Sequence, residues 1–515
     1  MIAKVYSTIP CGYDGQLVEV EGDTNQGLPS FNIVGMANKT VNEARERVRS
    51  ALMNSGFRFP RKKVTVNLAP AELTKNGSHL DLPIALAVLI ISHQLLPGDV
   101  AGRIFVGELS LSGESKPIRG IINIVEAAKQ AGYHQIFLPI DNLWQARLVK
   151  GIELIGVKNL RELFLQLKGQ RPILSDTQSA SQISNPPPDS SETPEPSDLS
   201  CTLDSIYGQP VAKRAITLAI AGHHNILLSG PPGVGKSLLA RAAVHLLPDP
   251  TPAEQIEIAK INSLTSSTQT LPIKRPFRAP HHTASVAALL GGGTSLSPGE
   301  ISLAHHGVLF LDELPEFARN ALEALRQPLE DHQISLAHAN FRVTYPANFI
   351  LFATMNPCPC GFYGDPTHEC TCQPRQLQNY RAHLSEPIMD RIDLYTEVGR
   401  VPSAQLLAST TKHSEHETAK TRILKALNRQ FARYQKNRSQ PLYNGLLTPA
   451  EVKKFLQLTP DAENLLKTAA DRLALSARTY FKTIKLAQTI ADLDDVPEIG
   501  VDQISEALSY RQRTT

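Results

Sequence analysis

No stretch of this sequence is apolar for long enough to cross a bilayer. The longest uncharged apolar run, Leu82 to Ile91, is interrupted by Pro83 and falls well short of the roughly 20 residues a spanning helix needs. The opening segment, MIAKVYSTIPCGYDG, has one Lys and no continuous apolar core, so it does not read as a secretory signal. A cytoplasmic protein with no membrane attachment is expected. Charge of one sign is also missing. The 52 Lys and Arg nearly balance the 49 Asp and Glu, so a polyanion must be met by a local patch and not by the field of the whole chain. Cysteine is scarce at six, and four of these fall between Cys358 and Cys372, which argues against a disulfide framework. No internal repeat is found. At 42% hydrophobic and 20% charged, the chain is neither disordered, collagenous nor coiled-coil, and its 515 residues suggest two to four domains.

The chain divides at a compositional break. No Lys or Arg occurs between Arg171 and Lys213, and residues 175–200 read SDTQSASQISNPPPDSSETPEPSDLS. Such a segment cannot bury enough apolar surface to offset the entropy of ordering, so a disordered linker is expected over residues 171–200. Before it, residues 1–170 alternate strand-like stretches (KKVTVNLAP, GRIFVGELSLSG, HQIFLPI) with helical ones (NEARERVRSALMNSG, LPIALAVLIISHQLL, INIVEAAKQAG), the pattern of a mixed α/β domain. After it, residues 201–400 place a glycine-rich turn between a strand and a helix. Residues 401–515 read as a helical lid, with one long amphipathic stretch from Asp461 to Leu493. The expected fold class is multidomain α/β.

Gly230-Pro231-Pro232-Gly233-Val234-Gly235-Lys236-Ser237 matches G-x-x-x-x-G-K-[ST] in full, after the strand NILLSG. Backbone N–H groups in such a loop turn inward around phosphates, Lys236 can neutralise the β/γ oxygens, and the Ser237 hydroxyl can reach Mg²⁺. Bound ATP and Mg²⁺ are therefore expected. Further on, Gly307-Val308-Leu309-Phe310-Leu311 is an apolar strand ending in Asp312 and Glu313, placed to hold the Mg²⁺ shell and to activate water. A third strand, NFILFATM, ends in Asn356, which either positions that water or caps the turn before Pro357.

Cys358-Pro359-Cys360-Gly361 and Cys370-Thr371-Cys372 form a C-x-C-x₉-C-x-C arrangement. Four thiolates in two close pairs suit a structural tetrahedral Zn²⁺, with packed or reactive thiols and an iron–sulfur cluster as the other readings. His368 is a spare ligand or a solvated loop histidine.

The order of loop, acidic strand and polar strand resembles the AAA+ ATPases. RAPHHTAS followed by GGG and GEISLAHHGVLFLDELPEF is similar to the magnesium-chelatase-related branch. EARERVRSALMNSGFRFP, VTVNLAPAELTKNGSHLDLPIALAVL, ATMNPCPCG and MDRID resemble the bacterial YifB/ComM family, nearly end to end. The resemblance implies a hexameric motor with ATP sites between subunits and an arginine finger at Arg391. The bland alternative is an Arg391 paired with Asp390 or Asp393 in its own subunit. Arg478 resembles the sensor arginine that contacts nucleotide in cis. Ser385-Glu386-Pro387 departs from the family's S-G-P. Arg278 to Gly293 is either a pore loop or buried packing.

The first body resembles the Lon-protease catalytic fold. Where that family places its Ser nucleophile this sequence has Asp81 or its neighbours, and where it places its Lys base there is Ile122 or Asn123. Ser78 and Lys116 do not restore the pattern, so no peptidase activity is expected. The same body carries Lys39, Arg45, Arg47, Arg49, Arg58, Arg61, Lys62 and Lys63 against Glu43 and Glu46, a surplus of six. This is a phosphate-backbone surface or an ordinary solvated face. Few aromatics accompany it beyond Phe57 and Phe59, so base reading is not indicated. By resemblance the leading function is an ATP-driven motor that moves branch points on single-stranded, duplex or branched DNA during natural transformation. The alternative is a chelatase-like or protein-remodelling ATPase, against which the whole first body stands.

Overall fold

The computed structural model describes residues 2–35, 39–71, 78–170, 201–266, 274–293, 296–338, 341–365, 368–401, 414–434 and 443–511. The linker expected at residues 171–200 lies outside the described residues.

The first α/β unit is built on a seven-stranded mixed sheet. Its strands are β1 (Ala3–Cys11), β2 (Asp14–Asn25), β3 (Ser30–Val34), β4 (Lys63–Ala69), β5 (Ile104–Phe105), β6 (Gln135–Pro139) and β7 (Glu153–Val157), in the spatial order β3-β4-β2-β1-β5-β6-β7. β2 runs antiparallel to both β1 and β4, β3 lies parallel to β4, and β5, β6 and β7 extend the sheet in parallel from β1. Period-two alternation divides β1 between two cores. Ala3, Val5 and Ile9 meet one side, and Tyr6 the other, where Thr8 also donates to the Ile124 carbonyl. The apolar run noted above is the central helix α2 (Asp81–Ile91), every residue of which is buried. Helix α1 (Lys39–Asn54) packs beside it, and α3 (Ile121–Gln130) covers the opposite face.

A buried helix that starts with an acid must neutralise it. Asp81 is fully buried, and its carboxylate accepts Nε (2.9 Å) and Nη2 (3.1 Å) of Arg47 on α1, plus the Leu109 N–H at 3.3 Å. Burial pushes the Asp81 carboxyl up to about 6, against the pull of Arg47.

The second unit holds a five-stranded sheet in which every pairing is parallel. Its strands are β8 (Ile226–Ser229), β9 (Phe277–Arg278), β10 (Val308–Leu311), then, after a hairpin of β11 (Gln333–His338) and β12 (Phe341–Pro346), β13 (Ile350–Met355) and β14 (Leu394–Glu397). The order is β9-β10-β13-β8-β14. Strands β8, β10 and β13 read as continuous apolar runs because both faces are covered. Helices α4 (Leu160–Leu167), α5 (Pro210–Gly222), α6 (Lys236–Val244) and α7 (Pro252–Thr265) follow in chain order, α4 closing the first unit.

Helix α7 joins the two units. The Gly120 N–H donates to the Ser263 carbonyl at 2.6 Å, Ser263 Oγ donates to Asn123 Oδ1 at 3.0 Å, and Lys260 pairs with Glu126 while lying 4.0 Å from the Tyr13 ring centre. At the carboxyl end of the chain stand α8 (Glu415–Tyr434), α9 (Pro460–Arg472), α10 (Ala477–Leu493) and α11 (Val501–Ser509), which share one core with α5 and β8. The long amphipathic stretch expected from Asp461 to Leu493 is two helices. Ala474 adopts φ +48° and Ser476 caps the new helix through the Thr479 N–H, so the chain turns where the apolar pattern alone runs on.

Arg47→Ala should strand the buried Asp81 carboxylate and cost about 3 kcal/mol in chemical denaturation. The folded state holds the Asp81 proton more tightly than the unfolded chain, and without Arg47 more tightly still, so the deficit should shrink as pH falls toward about 6 and level off below it.

Candidate functional site

All five parallel strands present their carboxyl ends at one edge, where ligands of open α/β sheets bind. β8 delivers the glycine-rich loop there. Gly233 and Gly235 take φ of +80° and +90°, conformations open to glycine, and the loop passes directly into α6. Val234 tucks against the core beneath, while Pro232 and Gly233 are exposed. The loop is tied to the neighbouring strand by the Gly230 N–H, which donates to the Met355 carbonyl at 3.2 Å. Lys236 is buried, and its Nζ donates to the carbonyls of Gly230 (2.6 Å) and Pro231 (2.8 Å) and to Asn356 Oδ1 (3.0 Å). Burial lowers its pKa, opposed by Asp312 and Glu313.

Asp312 and Glu313 follow β10. Ser237 Oγ donates to Asp312 Oδ2 at 3.0 Å, and Thr354 Oγ1 on β13 donates to Asp312 Oδ1. The same Thr354 oxygen accepts the Glu313 N–H at 3.0 Å. Glu313 sits at φ +53° with its side chain exposed, and His282 Nδ1 lies 4.0 Å from Glu313 Oε2. The structure therefore brings Lys236, Ser237, Asp312, Glu313 and Asn356 to one edge. The hydroxyl and carboxylate oxygens of Ser237 and Asp312 are hard donors of the kind Mg²⁺ takes, side by side at the mouth of the loop.

Arg391 and Arg478 are joined by a third residue. Glu330 Oε2 accepts Arg391 Nη2, and Glu330 Oε1 stands 3.7 Å from Arg478 Nη1 on α10. Hydrogen bonding from Arg391 lowers the Glu330 pKa. Arg391 also donates to the Pro387 carbonyl, on the turn that begins at Ser385 and Glu386. Its carboxylate partner is thus Glu330; Asp393 instead accepts the Asn225 N–H at 3.0 Å and faces Lys482.

Among the described residues two clusters have metal-ligating side chains in reach of one another. Cys358, Cys360, Cys370 and Cys372 follow β13 directly, with Sγ separations of 3.3 Å (358–360), 3.7 Å (358–370) and 3.6 Å (360–370). Four sulfurs about 2.3 Å from a tetrahedral centre would stand about 3.8 Å apart, so the donor set fits Zn²⁺. The backbone N–H groups of Cys360 and Tyr363 donate to Cys372 and Cys358 sulfurs, both at 3.3 Å. His368 is not in the cluster; its ring stacks on Phe362. The other cluster is Glu257 with His305 and His306. His305 Nδ1 accepts the Asn348 N–H at 3.0 Å, so its proton is on Nε2, which donates to Glu257 at 3.0 Å. With its nitrogens so committed, this cluster is a hydrogen-bonded brace.

In the first unit each polar candidate is engaged by a partner of its own, and Ser78, Asp81 and Lys116 lie around Glu108. Asp81 is held by Arg47, Ser78 donates to Glu108, Lys116 pairs with Glu114, Ile122 is buried, and Asn123 donates to the Tyr13 carbonyl at 2.6 Å. Of the eight cations counted there, Arg45, Arg49, Arg58, Arg61, Lys62 and Lys63 are exposed; Arg47 turns inward, and the side chain of Lys39 lies outside the described residues. Arg49 lies over Phe59, which brings the α1 face beside the 58–63 segment. Phe57 packs on Phe164 and Phe59 on Phe31. In the 278–293 segment, Arg278 is paired with Glu300, Leu289 is buried, and Gly291–Gly292 forms a hairpin with Ser297–Pro298.

Sequence reading missed Thr354, Glu330 and His282. Thr354 carried a usable signal, a hydroxyl two residues before Asn356 inside an otherwise apolar strand; Glu330 and His282 are recognisable only by where the fold sends them.

Three family models match this chain: magnesium chelatase, subunit ChlI, over residues 202–406; subunit ChlI of Mg-chelatase over 20–142; and the ChlI C-terminal model over 413–511. The competence protein ComM of Haemophilus influenzae is 40% identical over 512 residues, spanning 99% of this chain and 97% of that one. An uncharacterized protein YifB of Escherichia coli is 39% identical over 517 residues, with the same coverage. Lon protease 2 of Bacillus subtilis is 29% identical over 168 residues, 29% of this chain and 30% of that protein. With a relative of this identity along nearly its whole length, the chain belongs to the YifB/ComM family of magnesium-chelatase-related AAA+ proteins.

Proposed function

We propose that this protein is an ATP-driven, ring-forming DNA motor, a hexamer that moves branch points when incoming DNA is integrated. The observation that carries the ATPase reading is the convergence of Lys236, Ser237, Asp312, Glu313 and Asn356 on one sheet edge. In this reading Ser237 and Asp312 hold Mg²⁺, whose chemistry is to neutralise charge on the β- and γ-phosphates. Lys236 exchanges its loop carbonyls for phosphate oxygens, with Gly230, Pro231, Pro232, Gly233, Val234 and Gly235 supplying the surrounding backbone. Glu313 takes the proton of the attacking water, and Asn356 orients it. Arg391 is the finger offered to a neighbour's γ-phosphate, and Arg478 contacts nucleotide in its own subunit.

DNA as the partner is supported by the name of the competence relative and by the exposed basic face of the first unit. Because Phe57 and Phe59 are spent on packing, that face has, among the described residues, cations without free phenylalanine rings beside them. It suits backbone contacts without sequence preference, in the cytoplasm where such a motor would work. The work divides among residues 1–170 as the DNA-facing unit, 201–400 as the motor and 401–515 as the lid. The four cysteines hold a structural Zn²⁺. The second reading, a motor that remodels a protein partner, is favoured by the chelatase family models; one of them matches residues 20–142, so the first unit does not stand against it as the sequence suggested.

Lys236→Ala should abolish nucleotide binding, whereas Glu313→Gln should retain binding and slow turnover by roughly 10²–10⁴-fold. Normal turnover in either would sink the site. Arg391→Ala should bind nucleotide without hydrolysing it, and mixing it with Lys236→Ala protein should restore part of the activity, since each supplies what the other lacks across an interface. ATP hydrolysis measured with single-stranded, duplex and forked DNA should be stimulated, less so at higher salt. Combined Arg58→Glu, Arg61→Glu and Lys62→Glu should weaken that stimulation and flatten its salt dependence. Robust hydrolysis indifferent to all three DNAs would move the reading to a protein partner.

A further inference from the structure

The four-cysteine segment does more than follow the candidate site; it touches the phosphate loop. Residues 356–373 contain no helix or strand among those described, so little backbone pairing fixes their path. Farther along, Asp365 pairs with Arg400 and Tyr363 lies under Arg381; at the turn nearest the loop it is sulfur that gathers the chain. Cys358 is fully buried, its Sγ accepts the Tyr363 N–H, and Cys372 Sγ accepts the Cys360 N–H, so both ends of the segment are folded onto the cluster. The Gly361 N–H closes the first turn on the Cys358 carbonyl at 3.0 Å.

Gly361 is where the turn meets the loop. It takes φ +85°, and a Cβ placed on it would lie 2.5 Å from Cδ and 3.1 Å from Cγ of Pro232. Both facts call for glycine: the backbone conformation is left-handed, and the proline ring sits where a side chain would begin. Pro232 is otherwise exposed, so this turn is a wall against one side of the loop's crest. The other attachment runs through Asn356, two residues before Cys358, which accepts the Lys236 ammonium.

We infer that the four-cysteine cluster is a metal-dependent brace of the phosphate loop: a divalent thiophilic cation, Zn²⁺, shapes the Cys358–Gly361 turn, and that turn sets Pro232 and thereby the affinity for nucleotide. The inference rests on the nucleotide and zinc readings proposed above. It adds that losing the metal, whether to a chelator or to thiol oxidants, disables ATP binding at a site the metal does not itself touch.

The test uses the full chain. Zinc is counted by elemental analysis, and the equilibrium affinity for a fluorescent ATP analogue is measured in protein as purified, after a zinc-selective chelator, and after zinc is restored. One zinc per chain is expected, with affinity falling about tenfold or more on stripping, equivalent to about 1.4 kcal/mol, and returning on reloading. Gly361→Val, which keeps all four cysteines, should lower affinity similarly while retaining its zinc. Cys372→Ser should lose both. Unchanged affinity in stripped protein that can be reloaded, or in zinc-bearing Gly361→Val, overturns the brace and leaves both underlying readings standing. Nucleotide binding by protein that never holds zinc overturns the metal reading and the brace with it. Failure of the zinc-loaded protein to bind nucleotide overturns the reading of the loop.

Discussion

One carboxylate organises the candidate site. Asp312 is reached by Ser237 from the start of α6 and by Thr354 from β13, so three neighbouring strands of a parallel sheet are locked at their carboxyl ends through a single side chain. A parallel sheet leaves these ends without hairpins to tie them together. Polar side chains must therefore supply the cross-links, and here Thr354 supplies two, holding Asp312 by its hydroxyl hydrogen and the Glu313 N–H by its oxygen. The left-handed backbone at Glu313 then sends the next carboxylate away from the lock and outward. Neighbouring acids in sequence thus acquire different surroundings, one cross-linked and one free to face water.

The two arginines assigned to nucleotide by resemblance share Glu330. Glu330 faces each guanidinium from one side, and a phosphate approaching either would compete with it. On the proposed reading Glu330 ties the finger to the sensor helix α10, so a phosphate that draws Arg478 toward its own subunit's site alters what Arg391 is held by. The link is reinforced by Lys482, one turn along α10, which donates to the Asp390 and Ile392 carbonyls on either side of Arg391.

How much of this was legible beforehand follows from how each contact is encoded. The loop and acids could be read because a short, contiguous spacing fixes the chemistry, and the alternating and apolar runs fixed the kinds of element. Glu330 could not, because it approaches Arg391 from 61 residues away and nothing near either position marks the pairing. Arg47 was read as one more cation on a helix face; its inward turn is dictated by Asp81, an acid at the head of a helix buried on all sides. The break between α9 and α10 escaped because Leu473, Ala474 and Leu475 continue the apolar pattern while a non-glycine residue takes the left-handed turn.

Helix α7 gives the first unit its mechanical relation to the sheet. Along one side Glu254 takes both guanidinium arms of Arg275, and Glu257 takes His305 and His306 at the foot of β10. Along the other, Lys260 and Ser263 engage α3 and the turn between β1 and β2. A helix clamped on both sides transmits displacement, since moving β10 without α3 would break charge-assisted bonds at one contact or the other. If nucleotide works at the opposite end of β10, on Asp312, strand and helix form a continuous path from that end to the unit that carries the exposed basic face. On the proposed reading the basic face moves with its own subunit's strand, and motor and grip need no separate linkage.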